Sequence, residues 1–149
     1  MVRSIVGKHP QYYEGILQLR KIESDVKDFV DSEIAKAKIP VAKTVEQEHG
    51  LDYYLADNDF TRALGRKLQQ YFGGENLITA SLVTQKDGKD LYRITVLFRG
   101  TGFRKGDIII YQGEDFEVKL MSKDILLQNV KTGQKVHVKY KDLKNIKKK

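Results

Sequence analysis

The stretch DNDFTRALGRKLQQYFGG, residues 57–74, carries the clearest helix signal in the chain. Short polar side chains at residues 57–59 can accept hydrogen bonds from the free amides of a first helical turn. Apolar side chains then recur at the spacing of one helix face, and basic side chains fall on the other faces. Gly73-Gly74 ends the predicted helix, because glycine readily takes the left-handed conformation that a helix C-terminus often needs.

Strands are predicted on both sides of this helix. Before it, residues 41–48 and 51–56 are joined near His49-Gly50, and the tyrosine pair in the second segment suits a pleated surface. After it, residues 77–85 and 90–98 alternate in polarity around an Asp-Gly turn, which is typical of a hairpin. The helix is therefore flanked by two pairs of strands.

A further strand and helix precede these elements. Residues 15–20 form a short apolar strand candidate, and apolar side chains spaced by three and four predict a helix over residues 22–38. Pro40 prevents that helix from continuing. The order strand–helix–strand–strand–helix–strand–strand predicts that residues 1–98 form an α+β domain, a two-helix α/β sandwich with a largely antiparallel sheet.

The pattern changes at residue 99. Beyond it, short strand candidates alternate with turns, at residues 108–111, 116–121, 125–130 and 135–140. Short strands at such regular spacing predict a small all-β SH3-like barrel over residues 99–149. The lysine-rich residues 144–149 are expected to form a frayed tail.

The positive charge is concentrated in the same C-terminal part. The net charge is +7 with a pI near 9.4, and residues 1–98 contain equal numbers of basic and acidic side chains, so the whole excess lies in residues 99–149. Such asymmetry favours a polyanionic partner, whose phosphates lysines bind with strong salt dependence and little sequence discrimination. A solvated lysine face that binds nothing is the alternative. The candidate rRNA-binding residues are Arg99, Arg104, Lys105, Lys119, Lys123, Lys131, Lys135, Lys139, Lys141 and Lys144.

Strand parity gives three of these lysines a common face. Lys135, Lys139 and Lys141 are separated by even numbers of residues, so they point the same way wherever the last predicted strand stays regular.

Several classes of protein are excluded by composition. The chain has no cysteine, which rules out disulfides and thiolate zinc sites and favours a cytoplasmic location. No apolar run approaches the ~18 residues that would span a bilayer. His9, His49 and His137 lie in separate elements without a second ligand nearby, and no nucleophile, base and oxyanion donor come together. We therefore predict a non-enzymatic protein without a metal, a cofactor or a small-molecule substrate.

Several unusual segments together resemble one known family. The segment HPQYYEGILQLR, residues 9–20, resembles the opening of the central domain of the large-subunit export adaptor family, whose historical name refers to nonsense-mediated decay protein three. Further segments of the central domain follow in order at residues 50–55, 63–68, 72–74 and 91–96, so the resemblance covers roughly residues 8–98. Residues 105–118 also look like the first half of an SH3-like barrel of the translation-factor five-A type.

The resemblance implies a factor that docks on the large ribosomal subunit during assembly, across the tRNA sites of its joint face. Its partners would be rRNA and ribosomal proteins, and away from the ribosome we expect a monomer without membrane attachment. The family's N-terminal zinc domain uses paired Cys-x-x-Cys motifs, so this cysteine-free polypeptide is expected to lack it. No leucine-rich export signal follows Lys144, which favours an archaeal type. The candidate ribosome-docking residues are Tyr12, Tyr13, Arg20, Arg62, Arg66 and Lys67.

Two other functions remain open from the sequence. The basic barrel could belong to a general RNA-binding module of translation or transcription. The lysines could instead merely keep a protein-interaction scaffold in solution. Salt dependence of binding separates the scaffold from both RNA-binding hypotheses.

Overall fold

A computed structural model describes residues 12–86 and 88–149. Up to residue 99 the elements follow the predicted order, while residues 9–11 of the quoted segment and Asp87 lie outside the described residues. These elements are β1 (Gly15–Arg20), α1 (Ser24–Ala37), β2 (Val41–Gln47), β3 (Gly50–Leu55), α2 (Asn58–Phe72), β4 (Glu75–Lys86) and β5 (Lys89–Arg99).

These five strands form one mixed sheet, here called the N-terminal sheet. Its order is β2-β3-β1-β5-β4. β1 runs parallel to β5, and the other neighbouring pairs are antiparallel. The predicted α+β class is therefore confirmed, with one parallel pair at the centre of the sheet.

Both helices pack on one face of the N-terminal sheet. Leu17 and Leu19 of β1 are fully buried against Val30 of α1 and Leu68 of α2 in a common apolar core. The intervening residues of β1 point to the opposite face, against which no described helix or strand packs. We call this opposite face the uncovered face. It is formed by Ile16, Gln18, Arg20, Tyr54, Thr95, Leu97 and their neighbours on the same side of the sheet.

Local chemistry explains both ends of α2. The side chain of Asp57 accepts a hydrogen bond from the amide of Phe60 at 2.9 Å, as the predicted helix start requires. Gly73 follows the helix with φ 74°, a conformation that favours glycine. In mid-helix, Gly65 allows close approach to the sheet, since a Cβ there would lie 2.6 Å from Val96 Cγ1.

The C-terminal part forms a second, all-antiparallel sheet. The elements of this part are β6 (Ile108–Tyr111), β7 (Glu114–Met121), β8 (Ile125–Asn129), β9 (Lys135–Val138), a 3-10 helix (Tyr140–Asn145) and β10 (Ile146–Lys148). The C-terminal sheet has the strand order β10-β6-β7-β8-β9 and its own buried core around Ile109, Val118 and Leu127. The hydrogen bonding of the described residues leaves this sheet open, so closure into the predicted barrel is not observed.

The end of the chain differs from the prediction. The last predicted strand stops at Val138, two residues early, because the chain turns into the 3-10 helix. The expected frayed tail instead contains β10, which pairs antiparallel with β6 and buries Ile146. A single apolar side chain among lysines is too weak a signal to predict this strand.

Candidate nucleic-acid interface

Seven of the predicted rRNA-binding lysines are exposed on the C-terminal sheet and its turns. Among the described residues, none of the seven has a carboxylate within the 4.0 Å of an ion pair. No described side chain therefore neutralises their charge. They are Lys105, Lys123, Lys131, Lys135, Lys139, Lys141 and Lys144.

The fold places four of these lysines at two opposite ends of the β8–β9 pair. Lys123 precedes β8 and Lys139 follows β9, and the pairing of Ile125 with Val138 brings them to the same end. Lys131 lies in the turn after β8, and Lys135 opens β9, at the other end. The length of β8, roughly 17 Å at ~3.3 Å per residue, separates the two groups.

The common face predicted for three lysines is not formed. Lys135 lies in β9, whereas Lys139 follows the end of that strand and Lys141 belongs to the 3-10 helix. Strand parity cannot extend through the helical turn, so the condition on which the prediction depended is not met.

A buried asparagine shapes the turn that carries Lys131. The side-chain oxygen of Asn129 accepts hydrogen bonds from the backbone amides of Lys131 and Thr132, at 2.8 and 3.0 Å. Its nitrogen donates to Glu114 at 3.2 Å. Asn129 therefore fixes the chain direction at the far end of the sheet.

The other three predicted rRNA-binding residues form ion pairs. Lys119 lies 3.3 Å from Glu117, and Arg99 lies 3.3 Å from Glu75. Arg104 lies at the junction between the two sheets, where its guanidinium contacts Asp25 of α1. Their charges are partly balanced inside the protein.

Arg104 joins the C-terminal part to α1 through two parallel hydrogen bonds. Its two terminal nitrogens donate to the two carboxylate oxygens of Asp25, each at 2.9 Å, and the guanidinium lies 5.4 Å from the ring centre of Phe72. The hydrogen bond from Arg104 lowers the pKa of Asp25 below its ordinary value of 3.8. The same pair raises the pKa of Arg104.

Close packing completes this junction. A Cβ at Gly73 would lie 2.4 Å from Met121 Cβ, so the end of α2 and the end of β7 touch at backbone distance. Nearby, the buried hydroxyl of Tyr140 donates to the carbonyl of Ser122 at 2.7 Å, and burial raises the pKa of Tyr140 to about 12. These contacts hold the two sheets in a defined arrangement.

A basic groove lies beside the junction. It has a volume of about 360 Å³ and is lined by Arg66, Gln69 and Gln70 of α2 together with Ser122 and Lys123. The structure therefore brings together one predicted ribosome-docking residue, Arg66, and one predicted rRNA-binding residue, Lys123.

The described residues offer neither a metal centre nor a membrane span. They contain no group of three or more His, Asp and Glu side chains that could hold a metal ion. His49 and His137 each approach a single carboxylate, at 3.7 and 3.5 Å, and His9 lies outside the described residues. Within the same residues, no helix has the length and apolar character needed to cross a bilayer.

Comparison with family models identifies the N-terminal part. Residues 12–99 match the model described as NMD3, second domain. The chain belongs to the NMD3 family. Proteins of the NMD3 family bind the large ribosomal subunit and act as adaptors without catalysis. A comparison with curated proteins gave no significant match.

The NMD3 match covers the α-helices and the N-terminal sheet, and it confirms the predicted resemblance. The archaeal type and the missing zinc domain stay predictions. The C-terminal sheet lies outside the matched residues.

The predicted docking residues occupy different surfaces of the NMD3 second domain. Tyr13 and Arg20 lie on or beside the uncovered face, and the Tyr12 hydroxyl donates to Glu14. Arg62, Arg66 and Lys67 lie on α2. Arg62 pairs with Asp59 at 3.3 Å and Lys67 with Glu33 of α1 at 2.7 Å. The structure therefore does not unite these six residues into one patch.

One site in the NMD3 second domain was missed by the sequence. A pocket of about 820 Å³ lies at the carboxyl ends of β1 and β5 and contains Arg20, Lys21, His49 and Arg99. The parallel register places Arg20 directly beside Arg99. Sequence offers no signal for this pocket, because nothing in the pattern predicts that β1 and β5 are neighbours.

Proposed function

We propose that this chain binds the large ribosomal subunit during its assembly, without catalysis, and contacts rRNA phosphates through the C-terminal sheet. The observation that carries the proposal is the set of seven exposed lysines that have no carboxylate partner within the part of the chain that the structure describes. Membership of the NMD3 family supports the large subunit as the partner.

Exposed lysines without carboxylate partners favour binding to a polyanion. Like charges on one small sheet repel one another and retain bound counterions in solution. A polyanion that replaces these counterions releases them, which drives binding and makes it strongly dependent on salt. The lysines at the two ends of the sheet would contact separate stretches of the phosphate backbone.

The second domain supplies the remaining contacts under this proposal. Arg66 beside Lys123, and the cations of the N-terminal sheet, would add rRNA or ribosomal-protein contacts to those of the lysines. We further propose that the C-terminal part is an SH3-like unit, which its five short antiparallel strands support. The factor would act as a cytoplasmic monomer between rounds of binding.

Co-sedimentation across a salt series tests the proposal. The chain is mixed with purified large subunits, small subunits and an unrelated duplex RNA. We expect saturable binding to the large subunit alone, with log affinity falling against log salt by about 0.9 for each duplex phosphate contacted. Binding that is equal for all three partners would support a general RNA-binding module instead.

Charge-neutralising variants assign the contact. K123Q/K139Q and K131Q/K135Q each remove two unpaired lysines from one end of the C-terminal sheet. Each should lower the salt slope by about 1.8 if both lysines contact duplex rRNA. The matched control K27Q/K36Q removes two exposed lysines from α1, and it should bind as the wild-type protein does. Salt-independent binding that no lysine variant changes would favour the protein-interaction scaffold.

A further inference from the structure

The uncovered face has an unusual mixture of side chains. A solvated sheet face normally carries polar residues, yet here Leu97 and Ile16 lie at its centre. Leu77, the partner of Leu97 on β4, is 49% exposed. Two aromatic rings, Tyr13 and Tyr54, lie at one end of this apolar strip. Contiguous apolar and aromatic surface of this kind marks a binding site more often than a solvated face.

A stack of alternating cations and rings occupies that end of the face. The Arg93 guanidinium lies 4.2 Å from the ring centre of Tyr13, and the Tyr13 ring meets Tyr54 edge-on at 4.8 Å between ring centres. Lys43 lies 4.4 Å from the ring centre of Tyr54. Among the described residues, Lys43 and Arg93 have no carboxylate at ion-pair distance, so their charges remain available.

The cationic pocket occupies the other end. Arg20 and Arg99 lie side by side there, each with one carboxylate partner, Asp52 at 2.7 Å and Glu75 at 3.3 Å. Lys21 adds a cation without a carboxylate partner among the described residues, and the pocket lining itself contains no acidic side chain. Gln18 and Leu97 line the pocket as well, so it opens directly onto the uncovered face.

We propose that the uncovered face binds single-stranded RNA, with phosphates in the Arg20–Lys21–Arg99 pocket and bases against the Tyr13–Tyr54–Arg93 stack. This inference rests on the proposed function and names a second RNA contact, separate from the lysines of the C-terminal sheet. Single strands are commonly bound by a basic track beside aromatic rings and guanidinium planes on which unpaired bases stack.

The chemistry favours RNA over a protein segment. An extended peptide would pair with an edge strand, β2 or β4, rather than lie across the face of the sheet. The ring–cation stack lies beside Ile16 and the cationic pocket lies at Arg20, four residues further along β1. The distance between them along the strand is therefore about 13 Å. A stacked strand that rises ~3.4 Å per nucleotide would cover this distance with about four nucleotides.

Fluorescence anisotropy with the full chain tests the proposal. The probe is a labelled eight-nucleotide single-stranded RNA of mixed sequence, titrated at several salt concentrations. K21Q/R99Q removes two cations from the pocket, and it should lower the salt slope by about 1.4, at about 0.7 for each single-strand phosphate. Y54L keeps an apolar side chain but removes a ring, and it should weaken binding about tenfold.

The control K27Q/K36Q removes the same charge from α1, on the other side of the sheet, and should bind the oligonucleotide as the wild-type protein does. Far-ultraviolet circular dichroism of each variant checks that folding is retained. A K21Q/R99Q protein that binds the oligonucleotide like this control would overturn the proposal. Polyglutamate is titrated as a second probe. The proposal would also be overturned if K21Q/R99Q lost binding to polyglutamate but bound RNA as the wild-type protein does, since the occupant would then be an acidic protein segment.

The two proposals can fail separately. If K21Q/R99Q and Y54L leave oligonucleotide binding unchanged while the lysine variants still weaken large-subunit binding, RNA on the uncovered face is wrong and the proposed function stands. If the wild-type chain binds the oligonucleotide through the pocket but does not sediment with large subunits, the proposed function is wrong instead.

Discussion

Arg104 and Asp25 form a two-point ion pair across the junction, with two hydrogen bonds of 2.9 Å between the guanidinium and the carboxylate. The guanidinium also lies 3.6 Å from Glu23, just before α1. One side chain of the C-terminal part is thus held by two acids of the N-terminal part. Arg104 was predicted to bind rRNA; in the structure it connects the C-terminal part to α1.

Replacing Arg104 by lysine should destabilise the junction although the charge is kept. Lysine cannot form two parallel hydrogen bonds or stack its terminal group on Phe72 as a planar guanidinium does. Because both partners are substantially exposed, we expect a loss of only about 0.5–1 kcal/mol in the free energy of unfolding. Urea denaturation measures it. The control R62K alters an exposed ion pair within α2 and should change the free energy of unfolding little. An equal loss of stability in both variants would contradict a special role for Arg104.

Stability should fall in acid through carboxylates of α1. A hydrogen bond from Arg104 lowers the pKa of Asp25, and one from Lys67 lowers the pKa of Glu33. In the unfolded chain these groups return to ordinary values of 3.8 and 4.5, so the unfolded state binds more protons in this range. These two carboxylates therefore add to the free energy of unfolding when the pH is above 3.8 and 4.5, respectively. This stabilisation is lost as the pH falls through their lower pKa values in the folded state.

Urea midpoints measured from neutral pH to about pH 2.5 check this expectation. The double variant D25N/E33Q should be less stable than the wild-type protein at neutral pH. Its urea midpoint should also fall less steeply as the pH is lowered into the acid range. E48Q, at an exposed position of the turn between β2 and β3, serves as the control. An equally steep fall in D25N/E33Q and the wild-type protein would show that other carboxylates dominate acid unfolding.

Alanine at Gly73 should be much more damaging than alanine at Gly113. Both glycines have positive φ, 74° and 78°, so a side chain at either position strains the backbone at a cost of about 1–3 kcal/mol. At Gly73 the new Cβ would also collide with Met121 Cβ, which lies 2.4 Å away. At Gly113 no atom lies within 4 Å of the new Cβ. Overpacking adds about 1–3 kcal/mol. Thermal unfolding compares the two, and equal losses would mean that the junction opens freely to relieve the contact.

Removing the Asn129 side chain should loosen the turn that carries Lys131. N129A leaves the amides of Lys131 and Thr132 without their side-chain acceptor, at a cost of about 1–2 kcal/mol. Amide hydrogen exchange at these two positions should accelerate. Q134A changes an exposed side chain of the same turn and should leave exchange at both amides unchanged. Slow exchange in N129A would show that the neighbouring strands alone hold the turn.

The sequence predicted the helices and most strands because the side chains that specify them lie within a few residues of one another. The spacing of apolar residues on α2 and its Asp57 start depend on neighbours a few positions away, and the structure reproduces both. β10 was missed because Ile146 is buried only by pairing with β6, far back in the chain. The common face of three lysines failed for a related reason, since one 3-10 helix ends the strand on which it depended.

The candidate site shows the same division. Composition located the excess charge in the C-terminal part, and seven predicted lysines are indeed exposed there. Composition also made residues 1–98 appear neutral, which concealed a cationic pocket and a ring–cation stack in the N-terminal sheet. A sum of charges carries no information about which charges are neighbours.

The sequence by itself determined the secondary-structure order up to residue 99, the location of the excess charge and the resemblance to the NMD3 family. Tertiary structure alone decided that Arg104 pairs with Asp25 and that Arg20 lies beside Arg99. It also decided that, among the described residues, no helix or strand packs on one face of the N-terminal sheet. The physical reason is that periodicity and capping act within a few residues, whereas strand neighbours and ion pairs depend on how distant segments fold together.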